Sequence, residues 1–151
     1  PPRQHGRAVL TMKKIGAAVL AAAALAGSMT GTAQAEYNPR CASGVTQIGS
    51  TLYLQWRGEN VASVKQFKGC GKNWGYIYVW DSWRAGHQES YWISTGIRTR
   101  TSESSIDYVK VQDKKELWSS GADTLSECTQ AGGAIWNDTT ITVGNWTEER
   151  C

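Results

Sequence analysis

Trp74, Tyr76, Tyr78 and Trp80 fall on alternate positions, with Gly75, Ile77 and Val79 between them. A strand turns successive side chains to opposite faces, so this run puts four aromatic rings on one face and small or aliphatic residues on the other. The aliphatic face can fill a core. The aromatic face is then either a second core layer or a binding surface, and the rest of the chain is organised around that choice.

The sequence on either side supplies partners for such a strand. Residues 45–48 read as a short strand. Residues 51–57 alternate, with Leu52, Leu54 and Trp56 on one side and Thr51, Tyr53, Gln55 and Arg57 on the other. Gly58-Glu59-Asn60 reads as a turn into residues 61–67, and Gly69 and Gly71 bracket Cys70 before the aromatic run. Successive strands joined by short glycine-containing turns predict an antiparallel meander. Residues 81–86 leave the sheet, residues 91–94 begin a return strand, and the serine- and threonine-rich residues 98–105 read as an exposed loop. Residues 106–112 and 116–118 predict a second hairpin around Asp113-Lys114-Lys115. Thr124 with Glu127 fits a capping box, which predicts one short helix stopped by Gly132 and Gly133. Residues 134–136 and 139–146 close the chain as strands around Asn137-Asp138. The expected fold class is mainly β: a single antiparallel β-sandwich or partly open barrel with one short helix and two disulfides.

Residues 12–35 read as a secretory signal peptide. Met12-Lys13-Lys14 is the basic start, residues 15–26 the apolar run, and Ala33-Gln34-Ala35 the small-residue cleavage site. The apolar run is too short for a membrane span, which needs about 20 residues, so no stable span is expected after cleavage. Residues 1–11 precede the start and are expected to lie outside the mature protein; residues 36–151 would form one domain. Arg3, Arg7, Lys13 and Lys14 all fall before the cut, which leaves 12 basic against 13 acidic residues. That balance gives no support to nucleic-acid binding, which needs a basic face. Cys41, Cys70, Cys128 and Cys151 all lie in the mature part. An even number in an exported chain predicts two disulfides. Cys41–Cys70 with Cys128–Cys151 is preferred over the nested pairing, Cys41–Cys151 with Cys70–Cys128, and each bridge would contribute roughly 3–4 kcal/mol.

The usual catalytic constellations are poorly represented. A Ser–His–Asp arrangement would need His87, the sole histidine after residue 35, in a polar loop without a nucleophile elbow. Disulfide formation removes the thiols, and a zinc site lacks its second histidine. No metal and no cofactor are expected. Two carboxylates suffice for a glycosidase, so Asp81, Glu89 and Asp107 stay in view, with turn and surface roles as their default.

The aromatics make the stronger functional case: eight Trp, six Tyr and one Phe all follow residue 35. Flat rings on a sheet can stack on sugar rings while neighbouring polar groups meet the hydroxyls; the alternative is that they supply bulk to a small core. The candidate ligand-binding residues are Trp74, Tyr76, Tyr78, Trp80, Trp83, Arg84 and Trp92. Trp83 and Trp92 are expected to be the better exposed, because they lie among polar neighbours. The leading expectation is a secreted, non-enzymatic binding domain for extracellular or cell-wall glycan. The alternative is a secreted inhibitor or interaction module using residues 81–90, since Trp and Arg are frequent interface anchors.

Two resemblances bear on these readings. Ser82-Trp83-Arg84 resembles the Ser-Trp-Arg of the small streptomycete α-amylase inhibitors, which are also disulfide-bonded β proteins; it covers three residues, and length and cysteine spacing differ. Leu52-Tyr53-Leu54-Gln55-Trp56 followed by the segment Gly69-Cys70-Gly71-Lys72-Asn73-Trp74-Gly75, together with the leader and the size, is similar to small secreted proteins of streptomycetes and related actinobacteria that have no assigned function. It covers about half of the mature chain and implies export and a disulfide-linked β domain, with no catalytic residue to carry over.

Overall fold

Eight strands and one six-residue helix follow one another in the computed structural model, which describes residues 36–151. The expectations for residues 1–11 and 12–35 lie outside the described residues. Strands β1 (Thr46–Trp56), β2 (Glu59–Gly69) and β3 (Lys72–Val79) form the meander, and helix α1 (Asp81–Gly86) follows. Then come β4 (Trp92–Thr99), β5 (Val109–Gln112), β6 (Glu116–Trp118), β7 (Thr129–Trp136) and β8 (Thr142–Trp146). They make two antiparallel four-stranded sheets, in the order β1-β2-β3-β6 and β5-β4-β7-β8. The sheets are not closed into a barrel, so the fold is the sandwich. Among the described residues no helix is long and apolar enough to cross a membrane.

Alternation places the core. Leu54, Val64, Ile77 and Val79 of the first sheet meet Ile93, Ile97, Ala131 and Ile135 of the second, all nearly or fully inaccessible. Each of the leucine, isoleucine and valine side chains contributes roughly 1.5–3 kcal/mol through burial. The sheets come closest where side chains are absent. A Cβ on Gly75 would lie 2.6 Å from Thr95 Oγ1, and one on Gly133 would lie 2.4 Å from Val64 Cγ2.

Three sequence expectations change. The helix expected after Thr124 is absent, and β7 runs through its place. Thr124 is buried, and its hydroxyl accepts a hydrogen bond from Asn73 Nδ2 at 3.0 Å instead of capping a helix. Glu127 N–H closes a turn on the Thr124 carbonyl at 3.0 Å, and Gly132 and Gly133 lie within β7, where Gly133 gives clearance to Val64. The helix sits instead at α1, where only a departure from the sheet was expected. The second hairpin is also absent: β5 pairs with β4, whereas β6 pairs with β3. Residues 113–115 therefore cross between sheets, because Trp118 packs with the aromatic residues outside β3. Finally, residues 46–56 form a single strand, interrupted by a bulge between Ile48 and Leu52 at Gly49, whose φ is +74°.

The disulfides join Cys41 to Cys70 and Cys128 to Cys151, the preferred pairing. The first pins residues 38–45 across the outer face of the first sheet, where Cys41 packs with Phe67, Trp74, Tyr76 and Trp118. This second, aromatic core lies on the solvent side of the sheet, and its limit defines the candidate site.

Candidate functional site

The aromatic run of β3 divides between two roles. Trp74 is 2% exposed; its indole N–H donates to the Gly69 carbonyl at 2.9 Å. Tyr76 is equally buried, edge-on to Phe67 and 4.6 Å from Trp118 between ring centroids. Tyr78 is half-buried, and Trp80, just past the strand, is 36% exposed. The ladder is thus a core layer at its Trp74 end and an accessible surface at its Trp80 end. The gradient has a simple cause: residues 38–45 cover the first half of the face and leave the second open.

The open half is a groove of about 780 Å³. Its floor follows from strand register, since Tyr53, Ser63, Tyr78 and Glu116 lie side by side across β1, β2, β3 and β6. Tyr53 is 51% exposed and stacks on Trp80, with ring centroids 6.3 Å apart and planes within 24°. Tyr78 meets Trp80 edge-on at 5.9 Å. Three accessible rings therefore stand together, flanked by Glu36, Lys65, Lys115 and Glu116.

Each of those charges has a partner. Lys65 bonds Glu36. The Tyr76 hydroxyl donates to Glu116 Oε2 at 2.5 Å, and burial followed by this carboxylate holds the phenol firmly protonated. Lys115 donates to Asp81 Oδ2 at 3.1 Å and lies 5.0 Å over the Tyr78 ring, while Asp81 also accepts from Tyr78 and Arg84. The Lys115 hydrogen bond lowers the Asp81 pKa most; desolvation opposes it, and the hydrogen bonds of Tyr78 and Arg84 add to the lowering. The groove presents stacking surface and fixed hydrogen-bonding groups, the combination usual in sites for small polar ligands.

The other sequence candidates lie elsewhere. Trp83, expected to be exposed, is 2% accessible. It anchors α1 in the main core, parallel to the His87 ring at 4.5 Å and edge-on to Tyr91. A hydrophobic ring on a six-residue helix packed beside β2 turns inward, whatever the polarity of its sequence neighbours. Arg84 stays partly accessible and pairs with Asp81. Trp92 is half-buried on the outer face of the second sheet, cross-strand from Trp136, with planes within 16° and centroids 6.5 Å apart. It takes no part in the groove.

Of the carboxylates, Asp107 is 5% exposed and accepts from the backbone N–H of Ile97 (2.6 Å) and Gly121 (3.0 Å), a structural role. Glu89 lies in a separate hollow with Trp56, Glu59 and His87. His87 Nδ1 bonds the Trp83 carbonyl at 2.8 Å. Among the described residues, Cys128, Glu149 and Cys151 cluster at metal-ligand distances. Both sulfurs are in the disulfide and Glu149 is bidentate to Arg100, so the donors are already committed.

Sequence reasoning missed Tyr53, Lys65, Lys115 and Glu116 as groove residues. Tyr53 carried a signal, since it opposes Leu52 and Leu54 in an alternating strand. Lys115 and Glu116 carried none, because the pairing of β6 with β3 that brings them to the groove is a long-range event. Compared with known proteins, the chain matches no family, no curated protein and no solved structure.

Proposed function

We propose that the chain is a secreted, non-enzymatic glycan-binding domain whose binding face is the groove over β1, β2 and β3. The observation that carries this reading is the accessible cluster of Tyr53, Tyr78 and Trp80 beside side chains that present both donors and acceptors. A sugar ring offers an apolar face to the aromatics and hydroxyls to Ser63, Lys65 and Glu116. The ion pairs hold these groups in place before a ligand arrives, which lowers the ordering cost of binding. Export is supported by the two disulfides, which persist in oxidising compartments.

The reading is tested by tryptophan fluorescence of the oxidised protein, titrated with soluble glycans and peptidoglycan fragments. A saturable shift that Trp80→Ala or Tyr53→Ala abolishes supports it. No response across the panel, or a response that both variants retain, removes it.

A second reading, a protein partner or inhibited enzyme met by residues 81–90, draws support from the firm anchoring of that segment through Trp83. Its contacts would come from Arg84 and the exposed Ser82, with Trp83 serving as the anchor beneath.

A further inference from the structure

The outer face of the second sheet differs from the groove in one respect: its cations are uncompensated. Arg98 lies 4.1 Å over the Trp146 ring and donates through Nε to Gln130 Oε1 at 3.0 Å. Lys110 lies 5.3 Å over Trp92, which is itself parallel to Trp136. Neither cation has a carboxylate partner among the described residues, whereas every lysine of the first-sheet groove has one. Between the two tryptophan positions lies a recess of about 240 Å³ with no acidic residue in its lining, walled by Tyr108 and Trp146 and offering Ser94 and Asn145 as polar groups. Its floor is kept low by Gly96 and Gly132, where a Cβ would meet Ser105 and the Trp146 ring respectively.

We propose that this face is a second binding site, independent of the groove, for an anionic glycan, specifically a chain of uronic acid residues. Lys110 is cross-strand from Ser94, and Arg98 lies four residues further along β4, roughly 13 Å at strand rise. An extended chain lying along β4 therefore meets an aromatic ring and a cation at each end. A sugar ring packs beside Trp92, and carboxylates of the chain pair with Lys110 and with Arg98, which already covers the Trp146 ring. Charge of one sign over aromatic walls selects an anionic partner and speeds its encounter. Two point cations around a shallow recess suit spaced carboxylates better than the continuous phosphate charge of a nucleic acid.

The test is calorimetric titration of the oxidised protein with hexagalacturonate, its fully methyl-esterified form and oligothymidylate, at low and raised salt. Hexagalacturonate is expected to bind, more weakly as salt rises, and the neutral ester to bind at least tenfold more weakly. Arg98→Gln and Lys110→Gln should each weaken binding about tenfold, the scale of one charge-assisted hydrogen bond. Arg98→Lys should recover part of the loss, and the losses from Arg98→Gln and Lys110→Gln should persist in a chain that also carries Trp80→Ala. Lys110 is exposed, so its variant stays informative even if the Arg98 variant folds poorly. The proposal is overturned by absence of binding, by equal binding of the ester, by tighter binding of oligothymidylate, or by binding that both Arg98→Gln and Lys110→Gln leave unchanged. That last result would move the site off this face.

Discussion

Trp74 and Trp80 are six residues apart on one alternating run, yet the structure assigns them opposite roles, and replacing each by alanine separates those roles. Trp74 is 2% exposed, donates its indole N–H to the Gly69 carbonyl and packs against Gly121, where a Cβ would come within 2.8 Å of the ring. Removing a buried tryptophan costs about 3–5 kcal/mol, and the unpaired Gly69 carbonyl adds about 1 kcal/mol. Trp74→Ala should therefore lose roughly 4–6 kcal/mol, a large share of the 5–15 kcal/mol typical of a small domain. Trp80 is 36% exposed, and its main contacts are Tyr53 and Tyr78. Losing those aromatic pairs costs roughly 1–2 kcal/mol. Urea denaturation of both variants, followed by circular dichroism with the disulfides intact, reads the difference directly. Equal losses, or a Trp74→Ala loss below about 1 kcal/mol, would refute the division of the strand into a core half and a surface half.

Three further outcomes follow from the same packing and charge. Asp107→Ala strands the N–H groups of Ile97 and Gly121, so it should cost about 2–4 kcal/mol by thermal melting; a change within 0.5 kcal/mol, about the scatter of neutral surface variants, would contradict that role. Gly133→Ala drives a methyl into Val64 and should cost about 1–3 kcal/mol, and Val64→Ala in the same chain should recover part of it; strict additivity of the two losses would show that they do not meet. Asp81 has its pKa lowered below 3.8, chiefly by the Lys115 hydrogen bond, so its contribution is present above that value and fades as pH falls through the lowered one. The melting-temperature gap between the protein and Asp81→Asn should accordingly be widest near neutral pH and close in acid; a gap constant down to about pH 2 would contradict the assignment.

Much of the fold was legible because it is local. The alternation in residues 51–57 and 74–80 gave strands and faces, glycine turns gave the meander, and cysteine spacing gave a workable disulfide pairing. The failures share one physical origin, which is tertiary contact overriding a local signal. Thr124 and Glu127 have the chemistry of a helix cap, but Asn73 takes the Thr124 hydroxyl and β4 recruits residues 129–136 as a strand partner. Gly132 and Gly133 looked like a helix stop and instead permit close packing within and between sheets. Residues 106–112 and 116–118 looked like one hairpin, but their inward residues belong to different layers. At the site, alternation identified the aromatic face correctly but could not say how far residues 38–45 would cover it. Polar neighbours made Trp83 look exposed, although a single large ring on a short helix is the residue most strongly driven inward. Trp92, expected among the better exposed rings, is half-buried and less open than Trp80, and it lies on the opposite sheet from the groove.

The most direct measurement is a two-dimensional amide and indole NMR titration of the oxidised protein with a neutral oligosaccharide that gives a fluorescence response. The account predicts saturable shifts concentrated at Tyr53, Ser63, Lys65, Tyr78, Glu116 and the Trp80 indole, with the Trp74 and Trp83 indoles unmoved. Shifts centred on residues 81–90, with the Trp80 indole unchanged, would contradict it and place recognition on the helix instead of the sheet.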